Sequence, residues 1–375
     1  MLVTNPSIIE MFPMELWLEI FNYFNSNDLW HSFHDLNRKI DAMIEQTLLH
    51  LNFKEQDSYY YFMKNMLPVL NVANVRSLKL QEPIKVIDFF STFPLSSLIQ
   101  LRVLSLNLIY SSGDSSLKPW NQLSSLKYLQ SLNIMLCRST GGWDNSNEEK
   151  VLIIHSIFNQ NFCPLLKSLI IATGEFARVT SLPSLIAIPK MTIIEYLSID
   201  ALYFEDLIKL LPALRNVKSF HIDEGVYFND MNDIRSRKMI FRTPFMPKCI
   251  RLHLNLEMGT TFDHIKYILK HTPNLQGLFL SIRPNLLNAK RWEKLLSSKC
   301  PNLLKLELTC TDYRYGDYSA VVYERLETFE RERQTPFWIE RNTTISYVQG
   351  YDHANHIVRS YITKVSFILI LRVDL

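Results

Sequence analysis

Residues 275–308 read LQGLFLSIRPNLLNAKRWEKLLSSKCPNLLKLEL and hold one full period of the pattern that organises most of the chain. Each end carries the motif apolar-x-x-apolar-x-apolar, first as Leu275, Leu278 and Leu280, then as Leu303, Leu306 and Leu308. The alternation at its end marks a short strand with every second side chain on one face. Between the two copies lies the amphipathic stretch AKRWEKLL, which reads as a helix. Pro301 stands just ahead of the second strand, where a residue that cannot continue a helix gives a sharp exit.

Working outward, the motif recurs at Leu48, Val75, Leu101, Leu129, Leu166, Ile194, Val217 and Cys249, so that successive copies lie 27, 26, 28, 37, 28, 23, 32, 26 and 28 residues apart. Most of these spacings match the ~20–29 residues that one strand plus one helix requires in a leucine-rich repeat. Further helical stretches (VIDFFSTF, VLIIHSIF, FEDLIKLL and FDHIKYIL) fill the gaps, and Pro164, Pro212 and Pro273 repeat the position of Pro301. Units of this kind cannot bury their apolar side alone, and stacking solves the problem. The expected fold class is therefore α/β: an irregular leucine-rich-repeat solenoid over residues 48–310, with parallel strands on the concave side and helices on the convex side. The repeats are irregular because the asparagine or cysteine that usually follows the motif is mostly missing. The longest spacing holds RSTGGWDNSNEE (138–149), read as an exposed loop. The next longest holds FNDMNDIRSRK, whose Arg235, Arg237 and Lys238 are read as a solvated face. Beyond Cys310 the motif lapses into TDYRYGDYS, a charged helix VVYERLETFERER and apolar strand-like pieces, read as a cap over 311–375.

The chain ahead of the repeats reads differently. Residues 12–24, FPMELWLEIFNYF, open with Pro13 at a position suited to a helix start and Glu15 near its positive end. At ~100° per residue, Tyr23, Leu16, Ile20, Phe24, Trp17, Phe21 and Leu18 sweep an apolar arc of roughly 220°, wider than the stripe of somewhat more than ~100° that one core contact needs. A second helix, capped by Ser26, Asn27 or Asp28, carries Leu29, Trp30 and Phe33, and a third presents Leu36, Ile40, Met43 and Ile44. About 40 residues is below the size at which one core usually suffices.

Residues 11–47 resemble the F-box, after a flexible 1–10. The resemblance is carried by Pro13, Glu15, Leu16, Ile20, Phe21, Tyr23, Phe24, Asp28, Leu29 and Trp30, whereas the family's Cys-x-x-Trp stretch reads Asn37, Arg38, Lys39 and Ile40 here. It implies docking on the Skp adaptor, and through it a cullin, of a Skp-cullin-F-box ubiquitin ligase. Pro13, Leu16, Ile20, Phe21, Tyr23, Phe24, Leu29 and Trp30 are the implied adaptor-binding set. The function implied is that of a non-catalytic substrate receptor. The alternative is a free leucine-rich-repeat interaction scaffold without ligase association.

Composition narrows the partners. With 40 basic and 37 acidic residues the net charge is +3, too weak to imply a nucleic-acid or membrane-surface field. Glu10 and Glu15 interrupt any leader-like apolar run, and the run Phe367 to Leu371 is far short of the ~20 residues of a membrane helix. Neither nucleic acid nor membrane is an expected partner, and the location expected is cytoplasmic and/or nuclear. Five scattered cysteines suit reduced thiols. His353 and His356 have no second Cys or His pair at metal-ligand spacing, and neither a metal, a cofactor nor a catalytic constellation is expected.

The unknown protein target is expected on the concave face. In each strand the residue between the last two apolar positions should point there, giving the row Lys79, Ser105, Asn133, Ile170, Ser198, His221, His253, Phe279 and Glu307. Chemical variety is concentrated in its second half, flanked by Tyr196, Asp200, Asp223, Arg251 and Asn255. Tyr196, His221, Arg251, His253 and Phe279 are the expected target contacts, with Phe279 supplying burial and the others orientation.

Overall fold

The computed structural model describes residues 12–53, 56–110, 120–138, 163–172, 193–227, 245–257, 259–312, 319–339, 344–351 and 361–370. The expected loop at 138–149, the helix VLIIHSIF, the basic cluster at 235–238 and the pair His353 and His356 fall outside these residues, apart from Arg138. The backbone contacts group into two compact units, Met1–Gly174 and Glu175–Leu375.

The first unit opens with three short helices, α1 (Met14–Phe21), α2 (Ser26–Phe33) and α3 (Arg38–Gln46). Pro13 is the cap of α1, one residue ahead of the helix, and Asn25 caps α2 by accepting from the Asp28 amide at 2.9 Å. The cap expected at Ser26, Asn27 or Asp28 thus lies one residue earlier. Asn37 caps α3 in the same way, accepting from the Ile40 amide at 2.9 Å, so Leu36 lies outside the helix and is exposed instead of joining its apolar face. Three aromatic side chains knit the helices: Phe33 lies 5.9 Å from Trp17 and 5.2 Å from Phe21 between ring centroids. Ile40, Met43 and Ile44 complete this small core.

Only Thr47 and Leu48 separate α3 from β1 (Leu49–Phe53), the first strand of a parallel sheet. Thr47 is buried with its hydroxyl on the Met43 carbonyl at 2.8 Å, and the Asn74 side chain donates to the Glu45 carbonyl at 2.9 Å. A junction held in this way leaves no free linker. β2 (Val75–Leu80), β3 (Val103–Tyr110), β4 (Ser131–Arg138) and β5 (Ser168–Ala172) follow, each parallel to the last. The register aligns Leu51, Leu78, Leu104, Leu132 and Leu169 as one buried ladder, and Phe53, Leu80, Leu106, Ile134 and Ile171 as a second. Helix α4 (Gln56–Tyr61) follows β1, and α5 (Pro83–Thr92) packs on β2 and β3.

The second unit repeats the plan with β6 (Tyr196–Tyr203), β7 (Ser219–Tyr227), β8 (Arg251–Leu256), β9 (Gly277–Ile282) and β10 (Lys305–Asp312), again parallel. Its ladders are Leu197, Phe220, Leu252, Leu278 and Leu306, then Ile199, Ile222, Leu254, Leu280 and Leu308. Every one of these ten side chains is buried. The carbonyl just ahead of a strand accepts two successive amides from the next repeat, as Lys218 does from Ile250 and Arg251, and Ile250 from Gln276 and Gly277. All ten copies of the sequence motif therefore coincide with strands. Helices Phe204–Leu210, Phe262–Lys270 and Ala289–Lys299 occupy three of the stretches expected to be helical. The C-terminal region holds the expected charged helix, Ser319–Glu332, and then reverses direction: β12 (Tyr361–Ile370) runs antiparallel to β10 and to β11 (Thr344–Tyr351). Among the described residues no helix is long and apolar enough to cross a membrane.

One cap in this unit is pH-sensitive. At the start of helix Phe262–Lys270 the Thr261 hydroxyl accepts from the His264 amide, and His264 Nδ1 accepts from the Thr261 amide at 3.2 Å. An imidazole can accept there only when neutral. Burial pushes the His264 pKa down to about 4, consistent with an imidazole 5% exposed and 4.7 Å from the Phe204 ring. The unfolded chain would bind this proton near the ordinary value of ~6.5. Between those values the unfolded state holds the extra proton, so stability from this group is complete above ~6.5 and is lost as pH falls towards 4, at up to about 1.4 kcal/mol per pH unit. A His264→Gln variant is expected to flatten the fall of the urea midpoint between pH 6.5 and 4.5; identical slopes in the two proteins would contradict the assignment.

Candidate functional site

Two surfaces carry the residues that sequence reading singled out. The first is the N-terminal helical module. Pro13, Leu16 and Tyr23 are exposed, Tyr23 at 85% and Leu16 at 45%, while Ile20 and Phe24 are half-buried. Phe21, Leu29 and Trp30 are buried in the module's own core. The sequence places these three in the adaptor-facing set, whereas here the Phe21 ring packs on Trp17 and Phe33, the Trp30 ring stacks on His34, and all three side chains lie inside. Phe12, Met14 and Leu36 are exposed apolar side chains that sequence reading left out of the set.

The second surface lies in the Glu175–Leu375 unit, on the sheet face opposite the buried ladders. Strand register places Ser198, His221, His253, Phe279 and Glu307 side by side, as the motif position required. All five expected target contacts come together. The Tyr196 ring lies 5.2 Å from His221, His221 lies 5.5 Å from His253 edge-on, and His253 lies 6.1 Å from Phe279. Lys305 then places its ammonium 4.8 Å from the Phe279 ring centre while pairing with Glu307 at 3.6 Å. Arg251 is exposed beside them and shares register with Gly277. A Cβ on Gly277 would sit 3.1 Å from the Phe279 ring, so the absence of a side chain there lets the ring lean across the strand.

Asp223 ties this row together in a way the sequence did not reveal. On β7, Ile222 pairs with Ile199 and Leu254, but pairing with β8 resumes only at Val226, opposite Leu256. Asp223, Glu224 and Gly225 therefore face the single residue Asn255 on β8, a bulge of a kind rare in parallel sheets. Asn255 clamps it, donating to the carbonyls of Asp223 at 3.2 Å and Glu224 at 2.9 Å. The bulge aims the Asp223 carboxylate at His253 Nδ1, 3.5 Å away, while its other oxygen accepts from the Ser198 hydroxyl at 3.2 Å. Ser219 Oγ lies 2.9 Å from His221 Nε2. Burial, with the neighbouring His253, holds the His221 pKa below its ordinary value although Asp223 pulls the other way. Burial, then Asp223, raises the Tyr196 phenol. At neutral pH the row thus offers a neutral imidazole, an un-ionised phenol, a carboxylate, an aromatic face and two cations: donors, acceptors and an apolar anchor within one patch.

The signal for the bulge was present but unread. Asp, Glu and Gly in succession are poor strand formers, and a glycine inside a strand often marks one. Potential ligand atoms of His221, Asp223 and His253 also gather within 4.8 Å of one another across two strands, a grouping that spacing along the chain does not display. The described thiols of Cys163, Cys249 and Cys300 are pushed up to about 12 by burial and are poor nucleophiles. No known family model matches this chain, and no curated protein matches it either.

Proposed function

We propose that the chain is a non-catalytic substrate receptor of a Skp-cullin-F-box type ubiquitin ligase. In this reading the N-terminal helices dock on the Skp-type adaptor and the open face of the repeats captures a protein target. The observation that carries the first half is the distribution of apolar side chains on and flanking α1: Trp17 and Phe21 are buried, and Met14, Leu16 and the flanking Phe12 and Tyr23 are left exposed. A polar cap would have no use for them, since the outer face of a capping element is polar. The residues that match the F-box thus divide into those that shape the module and those on its surface. The compact junction at Thr47 and Leu48 supports a receptor in which the docking helices are joined firmly to the first repeat.

The second half rests on the row from Tyr196 to Lys305, which has the composition of a protein-recognition patch: aromatic anchors with hydrogen-bonding groups and charges around them. Full-length protein carrying His221→Ala, His253→Ala and Phe279→Ala is expected to retain a Skp-type adaptor while losing the proteins that proximity labelling recovers with the wild type. Recovery of the same proteins by the triple variant would move the target site elsewhere. Failure of the wild type to bind the adaptor in a purified two-component assay would overturn the ligase reading itself.

A further inference from the structure

We propose that His221, Asp223 and His253 form a binding site for a late first-row divalent cation such as Zn2+, with coordination positions left open on the solvent side. The geometry begins with the sheet. Neighbouring strands lie ~4.8 Å apart, and His221 and His253 are register partners on β7 and β8. Two imidazoles on one face of adjacent strands are therefore within reach of a common ion. A third ligand two residues along one of those strands completes a triangular face, and Asp223 holds that position.

Distances fit an unclosed site. Zinc binds nitrogen at about 2.0–2.1 Å and carboxylate oxygen at about 2.0–2.2 Å, so two ligands of one ion lie roughly 3.4 Å apart in a tetrahedral arrangement. Asp223 Oδ1 and His253 Nδ1 are already 3.5 Å apart. The full set lies within 4.8 Å, a spread that a small rotation of the half-buried imidazoles removes. Two imidazoles and a carboxylate are a donor set suited to zinc, nickel, copper or ferrous iron, and a poor one for magnesium or calcium.

The surroundings are those of a metal site as well. Ligands work when other contacts orient them. The Ser198 hydroxyl holds the Asp223 oxygen that does not face His253, and Ser219 Oγ lies 2.9 Å from Nε2 of His221 and orients that ring. The bulge clamped by Asn255 is a second, independent observation: it breaks regular pairing at the residue that must supply the carboxylate. Arg251 stands nearby as an opposing cation, and Asp223 offsets it. None of this rests on adaptor docking or on a protein target, so failure of the ligase reading leaves the site standing.

The test is Co2+ titration of full-length protein stripped with a chelator, read by visible ligand-field bands and by displacement with Zn2+. One equivalent of metal is expected to produce the bands. His221→Ala with His253→Ala should abolish them, and Asp223→Asn, close to isosteric, should weaken binding at least about tenfold. Ser219→Ala should weaken it by roughly 10- to 100-fold, as loss of a contact that orients a ligand does. Circular dichroism monitors folding of the double variant; should it misfold, Asp223→Asn decides alone. Bands of unchanged strength and affinity in Asp223→Asn, or no bands in the wild type at millimolar Co2+, would overturn the proposal.

Discussion

Full-length protein carrying Leu16→Ala and Ile20→Ala is expected to lose at least about a hundredfold in affinity for a Skp-type adaptor, with its circular dichroism spectrum unchanged. Burying a leucine or isoleucine contributes ~1.5–3 kcal/mol, and truncating a residue at the centre of an interface often costs ~2 kcal/mol or more. Two such losses reach about 2.8 kcal/mol even if they are far from additive, and each 1.4 kcal/mol is tenfold. The fold should tolerate the change because Leu16 is exposed and Ile20 only half-buried, whereas the module's core rests on Trp17, Phe21, Leu29 and Trp30. A Phe21→Ala variant makes the contrast: it should lose adaptor binding together with helical signal, through collapse of the ring cluster around Phe33. Undiminished binding by the Leu16 and Ile20 double variant would remove α1 as the docking surface.

The other large effect concerns the second unit's interior. Trp292→Ala should destabilise it by about 3–5 kcal/mol, the usual cost of deleting a buried large aromatic side chain. Trp292 is fully buried, packs edge-on against Phe262 at 5.3 Å between centroids, and donates its indole N–H to the Leu286 carbonyl at 2.9 Å. It therefore joins helix Ala289–Lys299 to helix Phe262–Lys270 and to the turn Pro284–Leu286. For a unit of about 200 residues, each kcal/mol moves the melting temperature by roughly 2–4 °C, so the expected drop is roughly 6–20 °C. Trp292→Phe keeps most of the ring and removes one of the two hydrogen bonds to the Leu286 carbonyl, which retains the Asn288 amide at 3.0 Å, and should cost nearer about 1 kcal/mol. Equal melting temperatures for wild type and Trp292→Ala would mean that this contact is not part of the folded core.

The strands were legible because each is announced by three apolar residues within six, and local spacing alone decides which side they take. Register followed from the same rule, so the row Lys79, Ser105, Asn133 and Ile170 in the first unit and the row from Ser198 to Glu307 in the second could be written down before any coordinates. The helical module was harder. A 220° apolar arc shows that α1 has two apolar sides, but which side meets α2 and α3 depends on contacts distant in sequence, and Phe21, Leu29 and Trp30 fell inside the core for that reason. Caps shifted by one residue, as at Asn25, because Asn, Ser, Asn and Asp stand in succession and several could cap. Asp223 was named only as a flanking charge. Its aim at His253 comes from a bulge and from Asn255 on the next strand, neither of which leaves a periodic trace.

Under the proposed function, the open-face row Ser198, His221, His253, Phe279 and Glu307, one residue per repeat, separates recognition from folding. A substitution at His221, His253 or Phe279 changes the face presented to the outside, while the two leucine-rich ladders on the other side of the sheet are untouched. Repeats of this kind contact mainly their neighbours, so the row can be edited one position at a time by natural variation. Specificity can then drift across related chains faster than the scaffold does, and sequence divergence should be sharper along that row than along the ladders behind it.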